Sequence, residues 1–345
     1  MKNCNFINNT AIRNGGSVAW WGNNGSVIAC IFINNTVEGS GGAIDWWYSN
    51  GILSDSTFTN NTAKNSGGAV FWTGKRGILT NSKFVGNTAN FSGGGIYWIG
   101  IEGILTNSNF INNTANDGGG ISWGSGGVNG TISNSNFTGN IARNGGGGIL
   151  SAAVNNIIKG STFTGNNATH GGGVYCSNGV NTTITDSTFI NNAASNGGGI
   201  SWGRLAVNGT LSNSNFIGNT ATDGGGILWA GTKGIIIGST FTNNTATRYG
   251  GAIQWILTGT MINCRFINGK WINNASKSNG IYVNNNQVLT ITGGKGIVDL
   301  VILGTLSGTS IVVLNNETYY YPPNSNINLS DKKIKQNYSP KNESK

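Results

Sequence analysis

The stretch FINNTANDGGGISW, residues 110–123, decides the fold, because the chain contains eleven versions of it. Aligned on Phe110, the copies place a phenylalanine every 25 to 27 residues. These residues are Phe6, Phe32, Phe58, Phe84, Phe110, Phe137, Phe163, Phe189, Phe216, Phe241 and Phe266. A fixed period of this length indicates a repeat architecture, in which each repeat is one unit of a stack.

An asparagine stands three residues after each of the first ten phenylalanines. These are Asn9, Asn35, Asn61, Asn87, Asn113, Asn140, Asn166, Asn192, Asn219 and Asn244. The position before each of them is always Asn or Gly, the residues that most readily take a positive φ. We therefore expect a bend with a left-handed residue there, followed by an asparagine whose side-chain amide bonds to the amides of the copies before and after it.

The remaining columns of the repeat alternate between restricted and variable positions. Ser or Cys stands two residues before every phenylalanine, and Ala stands five residues after nine of the first ten. Glycines follow, then Val or Ile, and two residues later a Trp in eight of the eleven copies. The position between that aliphatic residue and the Trp varies freely, which is typical of a solvent-facing site between two inward ones.

Short β runs separated by Asn and Gly bends, at a period near 26, describe one coil of a parallel β-helix. Each column then becomes a stack along the axis, with a spacing of about 4.8 Å. The chain is therefore predicted to be an all-β solenoid of about eleven coils over residues 1–283. Terminal coils or a small β cap are predicted at 284–323, and a disordered, polar, basic tail at 324–345.

Composition limits the function classes. Charged residues are only 9% of the 345, and the net charge of +9 is spread thinly. No arginine-rich stripe of the kind that follows phosphates is present, so nucleic acid is not an expected partner.

Neither a signal peptide nor a transmembrane segment is visible, and the chain begins inside a coil. Because solenoids normally cover their end coils, we expect the natural polypeptide to continue upstream.

Two kinds of covalent modification remain open. Cys4 and Cys30 fall in one column on adjacent coils, either as buried thiols in place of Ser or as a disulfide. Sequons of the form Asn-x-Thr recur at the bend, and each is either incidental to the bend or a glycan acceptor. The bend sequons are at Asn8, Asn34, Asn60, Asn112 and Asn243.

A search for catalytic or metal-binding groups finds none that converge. Asp117 and Asp223 share a column but lie four coils apart, about 19 Å at the strand spacing. Asp45 is expected to face outward, and His170, the single histidine, is interpreted as a bend residue. No Cys/His spacing or Asp-rich loop typical of metal sites occurs. We predict no catalytic residues, no metal site and no cofactor.

The aromatic columns suggest where a partner could bind. The Trp column either points inward as a stacked structural feature or forms an exposed ladder that contacts sugar rings. Outward-facing apolar side chains in the variable column are the better contact candidates. They are Phe71, Tyr97, Tyr175 and Leu228.

The paired motifs Phe-x-x-Asn and Gly-Gly-x-Ile/Val resemble the repeats of chlamydial polymorphic outer-membrane proteins and of adhesin-like surface proteins of methanogenic archaea. Examples are 32–35 with 41–44, 58–61 with 67–70, and 241–244 with 250–253. The resemblance covers about 280 residues. It implies a right-handed parallel β-helix of the pectin-lyase-like type, displayed outside the cell and used in adhesion.

These features together favour a non-catalytic, extracellular, adhesin-like segment at the cell surface. Its expected partner is a host or neighbouring cell surface, or a glycan, and the segment itself does not span a membrane. The alternative is a carbohydrate-active enzyme, such as a polysaccharide lyase or hydrolase, whose active site is absent from this fragment. An ice-binding solenoid is a third hypothesis. It is disfavoured because the Thr column that starts at Thr10 is interrupted by Ile141, Asn167 and Ala193.

Overall fold

A computed structural model describes residues 1–257 in full and, beyond them, the backbone of strands that end at Asn328. In this part of the chain the regular elements are all β-strands. The described residues contain no candidate membrane-spanning helix. Four parallel sheets run the length of a solenoid, and each regular coil contributes one strand to each sheet. The predicted right-handed parallel β-helix is confirmed.

The first two sheets of each coil are named here after their inward residues. The strands of the phenylalanine sheet are Asn5–Ile7, Ile31–Ile33, Thr57–Thr59, Lys83–Val85, Asn109–Ile111, Asn136–Thr138, Thr162–Thr164, Thr188–Ile190, Asn215–Ile217, Thr240–Thr242, Arg265–Ile267 and Lys295–Gly296. Those of the alanine sheet are Thr10–Ala11, Thr36–Val37, Thr62–Ala63, Thr88–Ala89, Thr114–Asp117, Ile141–Gly145, Asn167–His170, Ala193–Asn196, Thr220–Asp223, Thr245–Tyr249 and Lys270–Trp271.

Two further sheets complete the coil. The strands of the tryptophan sheet are Val18–Trp20, Ile44–Trp46, Val70–Trp72, Ile96–Trp98, Ile121–Trp123, Ile149–Ser151, Val174–Cys176, Ile200–Trp202, Ile227–Trp229, Ile253–Trp255, Ile281–Val283, Asp299–Ile302 and Ser325–Asn328. Those of the aliphatic sheet are Ser26–Ile28, Ile52–Ser54, Ile78–Thr80, Ile104–Thr106, Thr131–Ser133, Ile157–Lys159, Thr183–Thr185, Thr210–Ser212, Gly234–Ile237, Gly259–Ile262, Val288–Thr292, Ser310–Leu314 and Glu317–Tyr321.

The phenylalanine column shows that the coils stack in register. Phe84 lies opposite Phe58 on one side and Phe110 on the other. Consecutive rings from Phe6 to Phe241 stack face to face, with centroids 4.7 to 4.9 Å apart. This separation equals the spacing between neighbouring strands. Each ring contact adds about 0.5–1.5 kcal/mol to the stabilisation that burial alone provides.

The bend before each ladder asparagine has the left-handed backbone that the sequence predicts. All ten positions have a positive φ, for example 54° at Asn34 and 63° at Gly86. Asn and Gly adopt this conformation at the lowest cost, which explains why no other residue occurs there. A second left-handed column, which the sequence reading did not identify, follows the tryptophan sheet and includes Asn24, Asn50 and Arg76.

The ten asparagines form the predicted hydrogen-bonded ladder, and nine of them are fully buried. Asn113 is typical of the interior of the ladder. Its amide nitrogen Nδ2 donates to Oδ1 of Asn140 at 2.9 Å and to the backbone carbonyl of Phe84 at 3.0 Å. Its Oδ1 accepts from the backbone N–H and the Nδ2 of Asn87, at 3.0 and 2.9 Å. Each side chain therefore satisfies both its own polar groups and the backbone of the bend.

The column of Ser and Cys residues, two before each phenylalanine, forms a second ladder. The sequence predicted only that this position accepts small side chains. Ser82 accepts a hydrogen bond from the backbone N–H of Ser56 at 3.2 Å, and its hydroxyl donates to the carbonyl of Thr80 at 2.8 Å. Cys4 and Cys30 occupy the same column as free thiols, so the disulfide considered above is not formed.

The tryptophan column points inward, so the structural interpretation of that column is confirmed. Seven of its indoles are at most 1% exposed, and neighbouring rings stack. A glycine of the same coil packs against each indole from Trp20 to Trp229. In the fourth coil, a Cβ added at Gly103 would lie 2.6 Å from Trp98. A large side chain at the tryptophan position therefore excludes a large side chain at the glycine position.

Among the first ten coils, two lack the tryptophan, and both also lack the glycine. Ser151 takes the place of Trp in the sixth coil, where Asn156 replaces the glycine. The Asn156 Oδ1 accepts from the backbone N–H of Gly130 at 2.9 Å, and its Nδ2 donates to the hydroxyl of Ser151 at 3.4 Å. In the seventh coil Cys176 and Thr182 make the corresponding replacement, and both are buried. A residue larger than glycine thus occupies part of the space that the missing indole leaves.

Beyond residue 257 the described strands extend the stack. Val288–Thr292 pairs parallel with Gly259–Ile262 and continues the aliphatic sheet. The final pairs are antiparallel, including Ser325–Asn328, which lies within the predicted tail and pairs with Asp299–Ile302. The rest of the predicted tail, residue 324 and residues 329–345, lies outside the described residues. The division into a cap and a disordered tail remains a prediction.

The ladder predicts a large loss of stability for Asn113→Ala. The substitution removes the acceptor for two N–H groups of Asn87 and a donor to Phe84, all of them buried. Since an unsatisfied buried polar group costs about 1–3 kcal/mol, the free energy of unfolding should fall by about 3 kcal/mol or more. Urea unfolding followed by tryptophan fluorescence measures this loss.

The matched control is Asn136→Ala, because Asn136 also donates to a neighbouring asparagine, Asn109, but from an exposed position. We expect its unfolding free energy to change by no more than about 0.5 kcal/mol. Equal losses for the two variants would contradict a special role for the buried ladder.

The compensation between Trp and Gly predicts a favourable coupling in a double-mutant cycle. Trp98→Ser alone should cost about 3–5 kcal/mol through the cavity it leaves, and Gly103→Asn alone should cost about 1–3 kcal/mol through overpacking. The double variant reproduces the pair Ser151 and Asn156, so its loss should be smaller than the sum of the single losses by at least about 1 kcal/mol. Strictly additive unfolding free energies would show that the two positions are independent.

Candidate functional site

The outer face of the tryptophan sheet carries the variable column, and its side chains are more covered than the sequence predicts. Phe71, Tyr97 and Tyr175 are half-buried, so part of each ring remains accessible to a partner. Leu228 is only 8% exposed, and Asp45, expected to face outward, is fully buried. Residues just before and just after these strands pack over the face. The face is therefore the floor of a partly enclosed surface rather than an open one.

A cleft of about 510 Å³ lies over this face between the seventh and tenth coils. Tyr175, Ser201, Leu228 and Gln254 form its floor. One wall comes from the ends of the alanine-sheet strands and the other from the segments that follow the tryptophan-sheet strands. Pockets of 300 to 1,000 Å³ with a few convergent polar groups are of the size that holds small ligands. The cleft thus contains two of the four predicted contact candidates, Tyr175 and Leu228.

The first wall is a polar column in strict register. His170 lies opposite Asn196, and Asn196 lies opposite Asp223. The side-chain amide of Asn196 is 3.2 Å from Nδ1 of His170, and the His170 ring stacks on Tyr175 with centroids 5.3 Å apart. Burial lowers the pKa of His170, which favours the neutral imidazole at neutral pH. Burial also raises the pKa of Tyr175, so its hydroxyl keeps its proton there.

Asp223 and Arg248 form an ion pair that the sequence reading missed. The Arg248 Nε donates to Oδ1 of Asp223 at 2.8 Å, and its NH2 group contacts Oδ2. The Asp223 side chain is 5% exposed, whereas that of Arg248 is 55% exposed. The guanidinium carbon also lies 5.2 Å from the centre of the Tyr249 ring. Both residues lie in the same wall on adjacent coils. The alignment of the repeats places them in one column, so the sequence contained a signal for this pair.

An aromatic cluster lies at the other end of the same face, and the sequence reading did not identify it either. Trp21 and Trp47 directly follow the buried column, stack at 5.4 Å and are 65% and 41% exposed. The Trp47 indole N–H donates to Oδ2 of Asp45 at 2.6 Å. Burial raises the pKa of Asp45 to about 6, while hydrogen bonds from Trp47 and Asn14 act in the opposite direction. These contacts explain why Asp45 is covered.

No catalytic or metal-binding constellation is found in the described part of the chain. Asp117 and Asp223 remain four coils apart along the wall, as predicted, and Asp223 is bonded to Arg248. Burial raises the pKa of Asp117, and hydrogen bonds from Asn144 and Gly145 partly oppose this. Within residues 1–257, His, Cys, Asp and Glu form no group of three that could hold a metal ion. The groups that the outer face of the tryptophan sheet offers to a ligand are aromatic rings, side-chain amides and the arginine that is paired with Asp223.

Comparison with solved structures returns proteins with low sequence identity. PfbA, a surface adhesin of Streptococcus pneumoniae, is 12% identical with a TM-score of 0.42, over 87% of this chain and 88% of that one. The catalytic domain of Agl-KA is 17% identical with a TM-score of 0.36, over 90% and 60%. A PL6 alginate lyase in complex with a trisaccharide is 13% identical with a TM-score of 0.27, over 92% and 86%. Likenesses at this level carry no information about function.

Comparison with sequence families is more specific. A search of curated proteins finds no match. The Chlamydia polymorphic membrane protein repeat matches residues 29–45 and 55–71, which include the second and third copies of the Phe-x-x-Asn motif. The model of the right handed beta helix region matches residues 69–246, more than half of the chain. The chain therefore belongs to the right handed beta helix family.

Proposed function

We propose that this chain is a non-catalytic, adhesin-like rod that attaches to glycans on a cell surface through the outer face of its tryptophan sheet. The observation that carries the proposal is the row of half-buried aromatic side chains along this one face, which ends in a polar-walled cleft. The similarity of two segments to the repeats of the Chlamydia polymorphic membrane protein supports an adhesin-like role at the cell surface.

The aromatic residues have the geometry that sugar recognition needs. Phe71 and Tyr97 lie on adjacent coils, with ring centroids 5.4 Å apart and planes tilted by 41°. Tyr175 lies three coils further along the same column, roughly 14 Å from Tyr97 at the strand spacing. Partly exposed rings present an apolar surface and, in tyrosine, a polar hydroxyl at its edge. A linear glycan along the axis would contact several of these rings in turn.

The variation along the column also supports binding over catalysis. The floor of the face carries Asp45, Phe71, Tyr97, Ser122 and Leu150 on successive coils, whereas the inward columns hardly change. A rigid core with variable outward positions suits recognition, because new contacts do not disturb the fold. Hydrolysis would require two carboxylates that act together across a glycosidic bond, and the acids of this face are dispersed.

The proposal predicts specific losses of affinity. The purified chain is applied to a glycan array, and the best-bound glycan is titrated against Tyr97→Ala and Tyr175→Ala by biolayer interferometry. Removing a ring that stacks on a sugar should cost about 1–2 kcal/mol, or roughly 5- to 30-fold in Kd. Ile104→Ala is the control, because Ile104 is 45% exposed on the aliphatic sheet, and its Kd should not change.

Two results would contradict this proposal. One is the absence of binding both to the array and to intact cells. The other is cleavage of a bound polysaccharide by the purified chain, detected as new reducing ends or unsaturated products. The second result would favour the carbohydrate-active alternative.

A further inference from the structure

We infer that Asp45 is a proton-responsive latch for Trp47, which fixes the exposed aromatic cluster of the first two coils only while its carboxylate is ionised. This cluster is the stacked pair Trp21 and Trp47. The latch is a property of the fold and needs no ligand. Its consequence for attachment rests on the proposed function, because the cluster lies on the outer face of the tryptophan sheet.

Asp45 is a carboxylate in an apolar environment. It stands between the inward residues Ile44 and Trp46 and lies opposite Ala19 on one side and Phe71 on the other. Its exposed fraction is 0%. An ionised carboxylate at such a site requires strong hydrogen bonds or a paired cation, because burial removes it from water.

The hydrogen bonds that Asp45 receives come from neutral side chains. The Trp47 indole N–H donates to Oδ2 at 2.6 Å, and Asn14 also donates to this carboxylate. The other oxygen, Oδ1, is buried without a hydrogen-bond partner. A hydrogen bond to an ionised carboxylate is roughly twice as strong as one between neutral groups. The bond that holds the Trp47 indole therefore depends on the charge of Asp45.

The charge of Asp45 has no paired cation in the described part of the chain. Within residues 1–257, the recorded salt bridges join Lys64 with Glu38 and Arg248 with Asp223. The causes that act on the pKa of Asp45 are burial and the two hydrogen bonds. The charged and titratable residues of the segments around it are all exposed, and they are Arg13, Glu38, Lys64, Tyr48, Lys75 and Arg76.

Asp45 consequently changes its charge within an ordinary pH range. Burial raises its pKa to about 6. Above this pH the ionised carboxylate holds the Trp47 indole. Below it the neutral acid accepts a weaker hydrogen bond, and the stacking contact with Trp21 becomes the main restraint on the Trp47 ring.

The order of the two rings matters because they are accessible to a partner. Trp21 is 65% exposed and Trp47 is 41% exposed. Rings that are fixed before binding lose less side-chain entropy on binding than mobile rings do. Attachment through this end of the face should therefore be stronger at neutral pH than in acid.

The direct test follows the Trp47 indole N–H by NMR in a chain labelled with ¹⁵N-tryptophan. Its signal is assigned by its loss in Trp47→Phe. We expect the signal to move with a midpoint near pH 6 and Asp45→Asn, which is neutral at every pH, to abolish the movement. The carboxyl ¹³C signal of Asp45 in the wild-type chain should share this midpoint, which tests the link without any substitution.

Two variants are matched controls. Asp55→Asn removes the same charge from an exposed site. His170→Gln removes the single histidine, which lies five coils away, roughly 24 Å at the strand spacing. Neither should change the midpoint of the Trp47 signal. An indole signal that does not titrate, or that titrates equally in Asp45→Asn, would overturn the inference. Loss of the titration in either control would also overturn it.

The consequence for attachment is measured with the best-bound glycan of the array. We expect its Kd to be roughly fivefold larger at about pH 5 than at about pH 7.5, and Asp45→Asn to have the larger Kd at both. A titrating indole with an unchanged Kd would overturn the regulation of attachment while glycan binding stands. Because the NMR test needs no ligand, a latch that titrates in a chain that binds no glycan would contradict the proposed function alone.

Discussion

The amide-to-amide hydrogen bond between asparagines of successive coils is the interaction on which the structure depends. Each interior asparagine side chain bonds to the asparagines of the coils before and after it and also to the backbone of the preceding coil, so a coil is complete only when its neighbours are in register. A buried amide cannot leave this arrangement without exposing several polar groups to an apolar interior. The ladder therefore fixes the register, and the phenylalanine and tryptophan stacks add stabilisation to a register already set.

The fixed register separates the inside of the solenoid from its outside. Inward positions are restricted by contacts with identical residues above and below, and even the exceptions are matched, as Ser151 with Asn156 shows. Outward positions have no such restriction. The outer face of the tryptophan sheet can thus change from Asp to Phe to Tyr to Ser on successive coils while the backbone stays the same. This freedom suits a binding surface, and the cleft and the aromatic row are both on this face.

Much of the fold could be predicted from the sequence because the residue types allowed in each column of the repeat reflect the local geometry at that position. A column restricted to Asn and Gly indicates a left-handed bend, and a column of nothing but Asn beside it indicates an inward amide. The site was harder to predict. Whether an outward side chain is exposed depends on the bends that flank its strand, and these bends vary in length and sequence. Asp45 was assigned to solvent although Trp47 covers it, and Leu228 proves almost buried.

Contacts between coils at the walls were missed for a related reason. Arg248 and Asp223 are 25 residues apart, and both stand seven residues after the phenylalanine of their copy. In the structure Asp223 lies opposite Tyr249 instead, because the register shifts between Ala221 and Asp223. The sequence therefore predicts the core columns more reliably than the columns next to the bends, and the walls of the cleft lie in the latter.

The most direct test of the central claim is a set of distances between spin labels along one exposed column. Ile31, Lys83, Asn136 and Asn215 lie in register on the outer face of the phenylalanine sheet. In a background without native cysteines, pulsed electron paramagnetic resonance is measured on three pairs. The pairs 31/136, 83/215 and 31/215 span four, five and seven coils. The account predicts separations of about 19, 24 and 34 Å, linear in the number of coils. Distances that do not increase by about 4.8 Å per coil would contradict in-register stacking.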